Sequence, residues 1–401
     1  MSTQIATTEA SAPIPIIDID SHFTEPADLW TTRAPKRFAQ SAPRLIDDPD
    51  TRGAQCWVSG DVRLSPPGLC VIRPDRSKAL GVFTLGHMDE MTPAATDVHA
   101  RLRALDELGI AMQVVFPNVL GFAGATILRI EDPELRLFCT TAYNDAASEL
   151  QRASGGRLFC QALLPFWDID ATAKEIERAH DVLGLTGFNM IDNADRWGLP
   201  SLHDPHWDPL WSRAEERGMP CNFHIGSGGV DIGAVWPGIR PDHYLATLSC
   251  TFFLNNCRTI SNLIFSGLLD RFPRQKFVSV ESGIGWIPFM LEAIEYQMNE
   301  SMPHGGAMKL RPTEYFRRQI YASFWFEKDA SHAVEAIGAD NVLFETDFPH
   351  PTCLYPDVQD HVHASLGRLS ESARRKVLYQ NAARVYGLPL PEERGTTGVG
   401  A

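Results

Sequence analysis

Residues 15–26 read PIIDIDSHFTEP, an apolar run that ends in charged and polar side chains. The isoleucines predict a short buried strand that carries Asp20 and His22 at its end. Alternate side chains of an extended chain point to the same side, so this carboxylate and this imidazole would face one point in space. The stretch therefore predicts half of a metal site, and the rest of the chain is expected to supply the other half.

Beyond this strand the sequence predicts a long insertion and then a regular alternation of helices and strands. Residues 30–96 are irregular and rich in proline, which is typical of a functional excursion or lid rather than a domain. Within them, residues 56–58 and 69–72 are expected to pair as a small hairpin. The alternation that follows contains seven further apolar strands, at residues 112–116, 159–164, 187–191, 220–224, 276–280, 321–326 and 341–345.

Eight strands, each followed by at least one helix, predict a closed (β/α)8 TIM barrel of the α/β class. The strands are short continuous apolar runs, as expected when helices cover both faces of the sheet. A doubly wound open sheet is the alternative interpretation. We expect one barrel over residues 14–390, with the insertion between the first strand and the first helix, and flexible tails at residues 1–13 and 391–401.

The 401-residue chain is acidic, with 50 Asp and Glu against 36 Lys and Arg and a formal net charge of −14. No block of basic residues stands out, which argues against a nucleic-acid or anionic-membrane surface. The most apolar long stretch, residues 113–128, is broken by proline and glycine and is not expected to span a membrane. Eight cysteines without CxxC spacing and a polar N-terminus indicate free thiols and a cytoplasmic protein.

Polar side chains follow several of the predicted strands at the point where each one ends. His224 ends the fifth strand and Glu281 the sixth, while Asp347 follows the eighth, with His350 three residues later. The C-terminal ends of barrel strands share one rim, where chemistry lies. Carboxylates and imidazoles are costly to place near a core unless they are paired or bind a metal. An isolated Asp-x-His pair usually has a structural role, but His224 and Asp347 in register favour a metal, and a structural salt bridge is the alternative for Glu281.

The motifs at these strand ends resemble those of the amidohydrolase-related family, which includes aminocarboxymuconate-semialdehyde decarboxylase and the γ-resorcylate decarboxylases. The matching signatures cover roughly residues 15–388 and are Asp18-x-Asp20-x-His22, Asn222-Phe223-His224, Thr346-Asp347-Phe348-Pro349-His350 and Asn381-Ala382-Ala383-Arg384-Val385-Tyr386-Gly387. The resemblance implies one divalent ion held by Asp20, His22, His224 and Asp347. Two imidazoles and two carboxylates suit zinc first, and they also accommodate manganese or iron.

The sixth strand departs from the family pattern, because many of these decarboxylases carry a histidine where this chain has Glu281. A carboxylate beside a metal can act as general base toward bound water. It can also ligate a second metal with Glu25 or His350, since some relatives of the fold resemble binuclear iron oxygenases. Phe23, His350 and Trp286 are the candidates for substrate contact.

The resemblance implies a metal-dependent carboxy-lyase or hydrolase that acts on a small carboxylated or aromatic molecule. In a decarboxylation, Asp347 would pass a proton to the carbon that loses carbon dioxide. In a hydrolysis, Asp347 or Glu281 would take a proton from the attacking water. A binuclear oxygenase and a non-catalytic partner subunit are the alternatives from other classes. We expect a homodimer, with no nucleic acid or membrane as partner.

Overall fold

The computed structural model describes residues 14–228, 235–302 and 306–391. The predicted tail at residues 1–13 lies outside the described residues, as does the other tail apart from residue 391. The strands are, in chain order, β1 (Ile17–His22), β2 (Arg44–Asp47), β3 (Gln55–Ser59), β4 (Val62–Ser65), β5 (Met112–Phe116), β6 (Leu158–Cys160), β7 (Phe188–Asn189), β8 (Cys221–His224), β9 (Phe277–Val280), β10 (Ile320–Phe324) and β11 (Val342–Phe344).

The α-helices mostly follow the strands that they cover, as expected for βα units. They are α1 (Val98–Leu108), α2 (Pro133–Ala153), α3 (Ile169–Asp181), α4 (Asp208–Arg217), α5 (Pro241–Ser249), α6 (Phe253–Phe265), α7 (Leu268–Arg271), α8 (Ile287–Ser301), α9 (Pro312–Gln319), α10 (Ala330–Ile337), α11 (Val358–Leu366), α12 (Glu371–Arg375) and α13 (Asn381–Tyr386). Within the described residues, no helix is both long and apolar enough to cross a membrane.

Eight parallel strands close into the predicted barrel. β1, β5 and β6 pair as one parallel group, and β7 to β11 pair in sequence order as another. A parallel bridge between Ala162 and Phe188 joins β6 to β7, and one between Ser21 and Phe348 joins β1 to the segment after β11. The ring of strands is therefore continuous, which confirms the TIM barrel and excludes the open sheet.

A bulge in β1 decides which of its side chains face into the barrel. Asp18 lies opposite Gln113 of β5 and His22 lies opposite Phe116, with a register shift between Asp18 and Ser21. The four residue steps from Asp18 to His22 therefore pair with only three steps of β5. This one-residue difference makes Asp18 and His22 point to opposite faces of the sheet. His22 joins the side chains at the rim of the barrel, whereas Asp18 faces the layer between the sheet and α1.

Local sequence signals define the first two helices that cover the barrel. Asp97 caps α1, because its side chain accepts a hydrogen bond from the Ala100 amide, and Gly109 ends the helix with φ +71°. Asp132 caps α2 in the same way, directly before Pro133. A short acidic cap, proline in the first turn and glycine after the last are the residues that these positions favour.

The insertion between β1 and α1 carries a small antiparallel sheet of β2, β3 and β4. The predicted pairing of residues 56–58 with residues 69–72 is wrong, because β3 pairs with β2 and β4 instead. Gly60 has φ +56° and allows the tight turn between β3 and β4, which costs less chain entropy than a longer loop. The insertion also reaches the rim, where the Val71 amide donates to Pro349 O at 3.1 Å.

The two ends of the barrel differ in polarity. Apolar side chains of the strands, among them Ile17, Val114 and Leu343, form one cluster with Val385 and Tyr386 of α13. This helix therefore closes the end of the barrel opposite the rim. The buried carboxylates and imidazoles of the strand ends lie at the other end, where the fold places a functional site.

The eight cysteines are all free, and six of them are buried. This confirms the expectation of unpaired thiols inside apolar runs.

Candidate metal centre

Three imidazoles and three carboxylates meet at the rim of the barrel. His22 Nε2 lies 3.4 Å from Asp20 Oδ1, 3.4 Å from Asp347 Oδ1 and 3.2 Å from His224 Nε2. His224 Nε2 lies 3.4 Å from Glu281 Oε2 and 3.5 Å from Asp20 Oδ1. The four side chains that the resemblance implied as ligands therefore meet, and Glu281 lies beside them. We call these five residues, together with His350, the rim cluster.

The cluster has the chemistry of a cation site. Both carboxylate oxygens of Asp20 and both of Asp347 are buried and lack a hydrogen-bond partner. Buried acceptors without partners cost free energy unless a donor or a cation satisfies them. The ligand atoms of Asp20, His22 and His224 lie within 4.8 Å of one another, as do those of His22, Asp347 and His350. Nitrogen and oxygen donors in this number fit a divalent transition metal.

A second arrangement shares two of these carboxylates. Asp20, Glu281 and Asp347 also bring one oxygen each within 4.8 Å of one another. The chain therefore offers Glu281 as a further ligand or as a base beside the first ion. Glu25, the other predicted partner of a second metal, does not belong to any of the metal-compatible groups found among the described residues.

Two of the carboxylates sit on a strained backbone. Glu281 has φ +56° and Asp347 has φ +59°, a left-handed conformation that residues other than glycine rarely adopt. Each follows the end of a strand, β9 for Glu281 and β11 for Asp347. Such strain costs roughly 1–3 kcal/mol and persists where the surrounding structure imposes it, which is often at a functional site. This left-handed backbone conformation directs the carboxylates of both residues toward the rim.

The charges of the cluster are strongly coupled. Burial opposes ionisation of Asp20, but the neighbouring His224 and His22 hold its pKa at about 2. Burial lowers the pKa of His22 to about 4, whereas Asp20 and Glu281 raise the pKa of His224 to about 9 against the effect of burial. Burial raises the pKa of Glu281 to about 8, and burial with nearby carboxylates raises the pKa of Asp347 well above its usual range.

The histidine tautomers follow from their partners. A backbone carbonyl only accepts, so His224 Nδ1 donates to Ile225 O at 2.9 Å and its Nε2 faces the cluster. His350 Nε2 likewise donates to Asn118 Oδ1 at 2.8 Å, which leaves Nδ1 3.2 Å from Asp347 Oδ1. Hydrogen bonds of this kind orient metal-ligating or catalytic imidazoles.

Asn118 is itself held in place by the segment that follows the first strand. The backbone N–H groups of Asn118 and Val119 donate to Glu25 Oε1 at 2.9 and 3.1 Å. The Glu25 carboxylate therefore anchors the loop after β5, and burial raises its pKa to about 7. One of its oxygens accepts hydrogen bonds from two backbone N–H groups. The predicted role of Glu25 in a second metal site remains a hypothesis.

A buried polar network below the cluster was missed from the sequence. Asp18 accepts hydrogen bonds from the Thr346 amide at 2.8 Å, the Asp20 amide at 3.2 Å and Gln113 Nε2 at 2.8 Å. Gln113 Oε1 in turn accepts from Arg101 Nη1 at 3.0 Å. This network fixes the backbone beside Asp20 and beside Asp347.

Arg101 lies at the outer end of this network and ties it to β1. Its guanidinium is fully buried, and it donates to the carbonyl oxygens of Ala94 and His22. The sequence carried a signal for it, because Arg101 occupies the buried stripe of α1 that also includes Leu105 and Leu108. A charged residue in an apolar stripe indicates a buried partner.

Glu345 was also missed. Its carboxylate is buried and accepts hydrogen bonds from the Glu281 amide at 2.9 Å and from the Ser323 hydroxyl. Burial, with the nearby carboxylates of Asp20 and Glu281, raises the pKa of Glu345 well above its usual range. Glu345 therefore supports the strained backbone of Glu281, and its position directly after β11 was the available signal.

The three predicted substrate contacts lie in different places. His350 stacks on His22 inside the cluster, with ring centroids 3.4 Å apart. The Arg101 guanidinium lies over the Phe23 ring, with its Cζ 5.5 Å from the ring centroid. The Trp286 indole donates to Ser282 O at 2.9 Å and its ring stacks near Phe253. These contacts bring His350 to the cluster and pair the other two rings with different neighbours.

Comparison with known proteins places the chain in a family. Residues 17–388 match the family described as Amidohydrolase. The γ-resorcylate decarboxylase of Rhizobium radiobacter is 24% identical over 295 residues, which cover 72% of this chain and 86% of that protein. An amidohydrolase from Mycobacterium avium subsp. paratuberculosis K-10 superposes with a TM-score of 0.72 and 23% identity, covering 94% of this chain and 100% of that chain.

A dihydroxybenzoic acid decarboxylase from Polaromonas sp. JS666 was solved with bound manganese and the inhibitor 2-nitroresorcinol. It superposes with a TM-score of 0.59 and 18% identity, covering 93% of this chain and 97% of that chain. These structures confirm the fold. The family match runs from the first residue of β1 to beyond α13 and includes every residue of the rim cluster. The chain belongs to the amidohydrolase family, and it is an enzyme whose barrel rim carries a site for a divalent metal.

Proposed function

We propose that this chain is a metal-dependent carboxy-lyase that removes carbon dioxide from a small aromatic carboxylate without an oxidant. The observation that carries the proposal is the rim cluster, in which Asp20 and Asp347 turn four unpartnered oxygens toward two imidazoles. The names of the relatives support the reaction class, because γ-resorcylate decarboxylase and dihydroxybenzoic acid decarboxylase both act on aromatic acids.

In this proposal Asp20, His22, His224 and Asp347 hold one divalent ion. Zinc is the ion expected from the sequence, and manganese is the ion bound in the Polaromonas decarboxylase. When bound, the ion would act as a Lewis acid toward the oxygen atoms of the substrate. The rest of the chemistry falls to the side chains of this chain.

Loss of carbon dioxide breaks the bond between the carboxyl carbon and the ring, and the electron pair stays on the ring carbon. That carbon must receive one proton, and in this proposal the Asp347 carboxyl group delivers it. The replacement proton for the Asp347 carboxylate comes from water, and His350 Nδ1, which carries no proton in this tautomer and lies 3.2 Å from Asp347 Oδ1, is within reach to accept that proton and pass it on. Asn118 holds the ring of His350 in this orientation.

Hydrolysis is the second candidate, and Glu281 is the observation that favours it. Its Oε2 lies 3.4 Å from His224 Nε2, beside the proposed metal ligands. A carboxylate in that position can take the proton from an attacking water. Glu281 stands where many of the decarboxylases carry histidine, so the two reactions need a direct comparison.

Anaerobic turnover of protein loaded separately with zinc and with manganese tests the proposal. The assay measures carbon dioxide release from 2,6-dihydroxybenzoate and related hydroxybenzoates, beside a panel of esters and amides of the same acids. We expect carbon dioxide release from at least one acid, and its loss in Asp347→Asn with the metal content retained. Turnover of the esters or amides alone would replace the proposal with hydrolysis. Turnover that appears only after oxygen is admitted, in protein with two ions per chain, would indicate an oxygenase.

A further inference from the structure

One aromatic ring covers the rim cluster from the loop after β5. The Phe122 ring lies with its centroid 4.1 Å from that of His224, 5.1 Å from that of His22 and 5.7 Å from that of His350. It contacts all three imidazoles of the rim cluster. A ligand that approaches the three imidazoles from the side of Phe122 must therefore share this space with the ring or displace it.

The backbone on both sides of Phe122 is anchored. Val119, Leu120 and Ala123 are completely buried, whereas Phe122 itself is only partly buried. Gly121 has φ +85° and Gly124 has φ +78°, and the Gly124 amide donates to Gly121 O at 3.0 Å. These left-handed glycines form a tight turn that presents Phe122 at its tip.

A fixed backbone with a partly exposed tip leaves the side chain as the element that moves. Partly exposed side chains change rotamer in picoseconds to nanoseconds, which is far faster than a typical turnover. A rotamer change of Phe122 is therefore the movement that would uncover the imidazoles while the backbone of the loop stays in place. The neighbouring Phe116, by contrast, is part of β5 and is buried, so its ring belongs to the wall.

We propose that Phe122 is the specificity-determining residue of this site, covering the imidazoles in the free enzyme and stacking on the ring of the bound substrate. The inference deepens the proposed function and rests on it for the nature of the substrate. It names the residue that would select an aromatic over an aliphatic acid, because an aliphatic acid has no face for Phe122 to contact. Offset or edge-to-face pairs of rings give a stabilisation beyond the burial of area.

The test compares Phe122→Ala with wild type by direct binding to manganese-loaded enzyme. The flat probe is 2-nitroresorcinol, and the ringless probe is acetohydroxamate, which binds metals through two oxygens. We expect Phe122→Ala to raise the Kd of 2-nitroresorcinol about two- to tenfold, as loss of one ring contact predicts. The Kd of acetohydroxamate should stay within about twofold or fall, and Phe122→Trp should restore affinity for the flat probe.

Two controls keep the outcomes distinct. Phe265→Ala removes a partly exposed ring near the end of α6 and should change neither Kd, while thermal unfolding and metal content should match wild type in every variant. An equal loss of affinity for both probes, or a Kd for 2-nitroresorcinol within twofold of wild type, would overturn the inference. If binding of 2-nitroresorcinol depends on Phe122 as expected but the wild type decarboxylates no acid of the panel, the proposed function alone is refuted. Failure of the loaded wild type to bind 2-nitroresorcinol would overturn the inference, while carbon dioxide release from the panel of acids would still decide the proposed function.

Discussion

Replacement of Arg101 by methionine removes the buried charge that ties α1 to β1. The guanidinium donates to Ala94 O at 2.6 Å, to Gln113 Oε1 at 3.0 Å and to His22 O. Methionine keeps the length and the apolar stem of the side chain, so packing should change little. The variant therefore isolates the hydrogen bonds and the charge.

The size of the effect follows from the groups left behind. Three buried acceptors lose their donor, and an unsatisfied buried group costs about 1–3 kcal/mol. The variant also removes the cost of burying the guanidinium, whose pKa burial lowers to about 10. We expect a net loss of about 3–5 kcal/mol in the free energy of unfolding, the range for breaking a buried charge network.

The metal site should respond as well, because Arg101 holds the backbone of a proposed ligand. Through Gln113 and Asp18 it also supports the amides of Asp20 and Thr346. Loss of groups that orient metal ligands typically costs 10- to 100-fold in metal affinity or activity.

Urea unfolding and chelator competition measure the two effects. Arg103→Met is the matched control, since Arg103 is an exposed residue of the same helix, and it should leave both quantities unchanged. Unfolding free energy within 1 kcal/mol of wild type, together with unchanged metal affinity, would refute the role assigned to Arg101.

Three further variants address single groups of the site. Asp347→Asn keeps the shape of the side chain but cannot donate a carboxylic proton, and turnover should fall by about 10²–10⁴-fold; a rate near that of wild type would remove Asp347 from the chemistry. Asn118→Leu should leave the metal content unchanged and lower kcat, because His350 loses its partner; an unchanged kcat would mean that Asn118 does not position it. Burial raises the pKa of Glu25 in the folded state to about 7 from an ordinary value of 4.5, so its contribution to stability is present below pH 4.5 and is lost as pH rises through 7. Glu25→Gln should therefore unfold less readily than wild type at pH 8 and similarly at pH 4.5, in urea titrations; loss of metal instead would mark Glu25 as a ligand.

The sequence predicted the positions of the proposed metal ligands because barrel geometry is simple. Parallel strands of a closed barrel all end at one rim, so residues that follow apolar runs meet even when they are far apart in the chain. Asp20 and Asp347 are separated by more than three hundred residues and still lie near the same imidazole. Counting strands was sufficient to bring these residues to one rim, whereas their assignment as ligands came from the family resemblance.

The polar network below the cluster could not be derived in the same way. Strict alternation places Asp18 on the same face as Asp20 and His22, whereas the bulge in β1 turns it toward Gln113. Bulges are hard to place from sequence, because the extra residue shifts the alternation at a point that the apolar pattern of so short a strand does not mark. The partners of Arg101 depend on that bulge as well.

Phe122 was missed for a different reason. An aromatic residue in a glycine-rich loop is compatible with core packing, lid packing or a contact in the site. Only the two left-handed glycines and the buried neighbours show which direction the ring takes. The prediction of the partner of β3 in the insertion was wrong for a similar reason. Alternative pairings of short strands differ by small free energies, which depend on the turn between the strands.

Metal quantification on protein expressed with mixed transition metals tests the central claim most directly. We expect about one tightly bound divalent ion per chain in wild type, and its loss in both His22→Ala and His224→Ala while the circular dichroism spectrum stays that of a folded barrel. Wild type that carries no ion yet turns over substrate at full rate, or an ion retained in both variants, would contradict a metal site built from these strand ends.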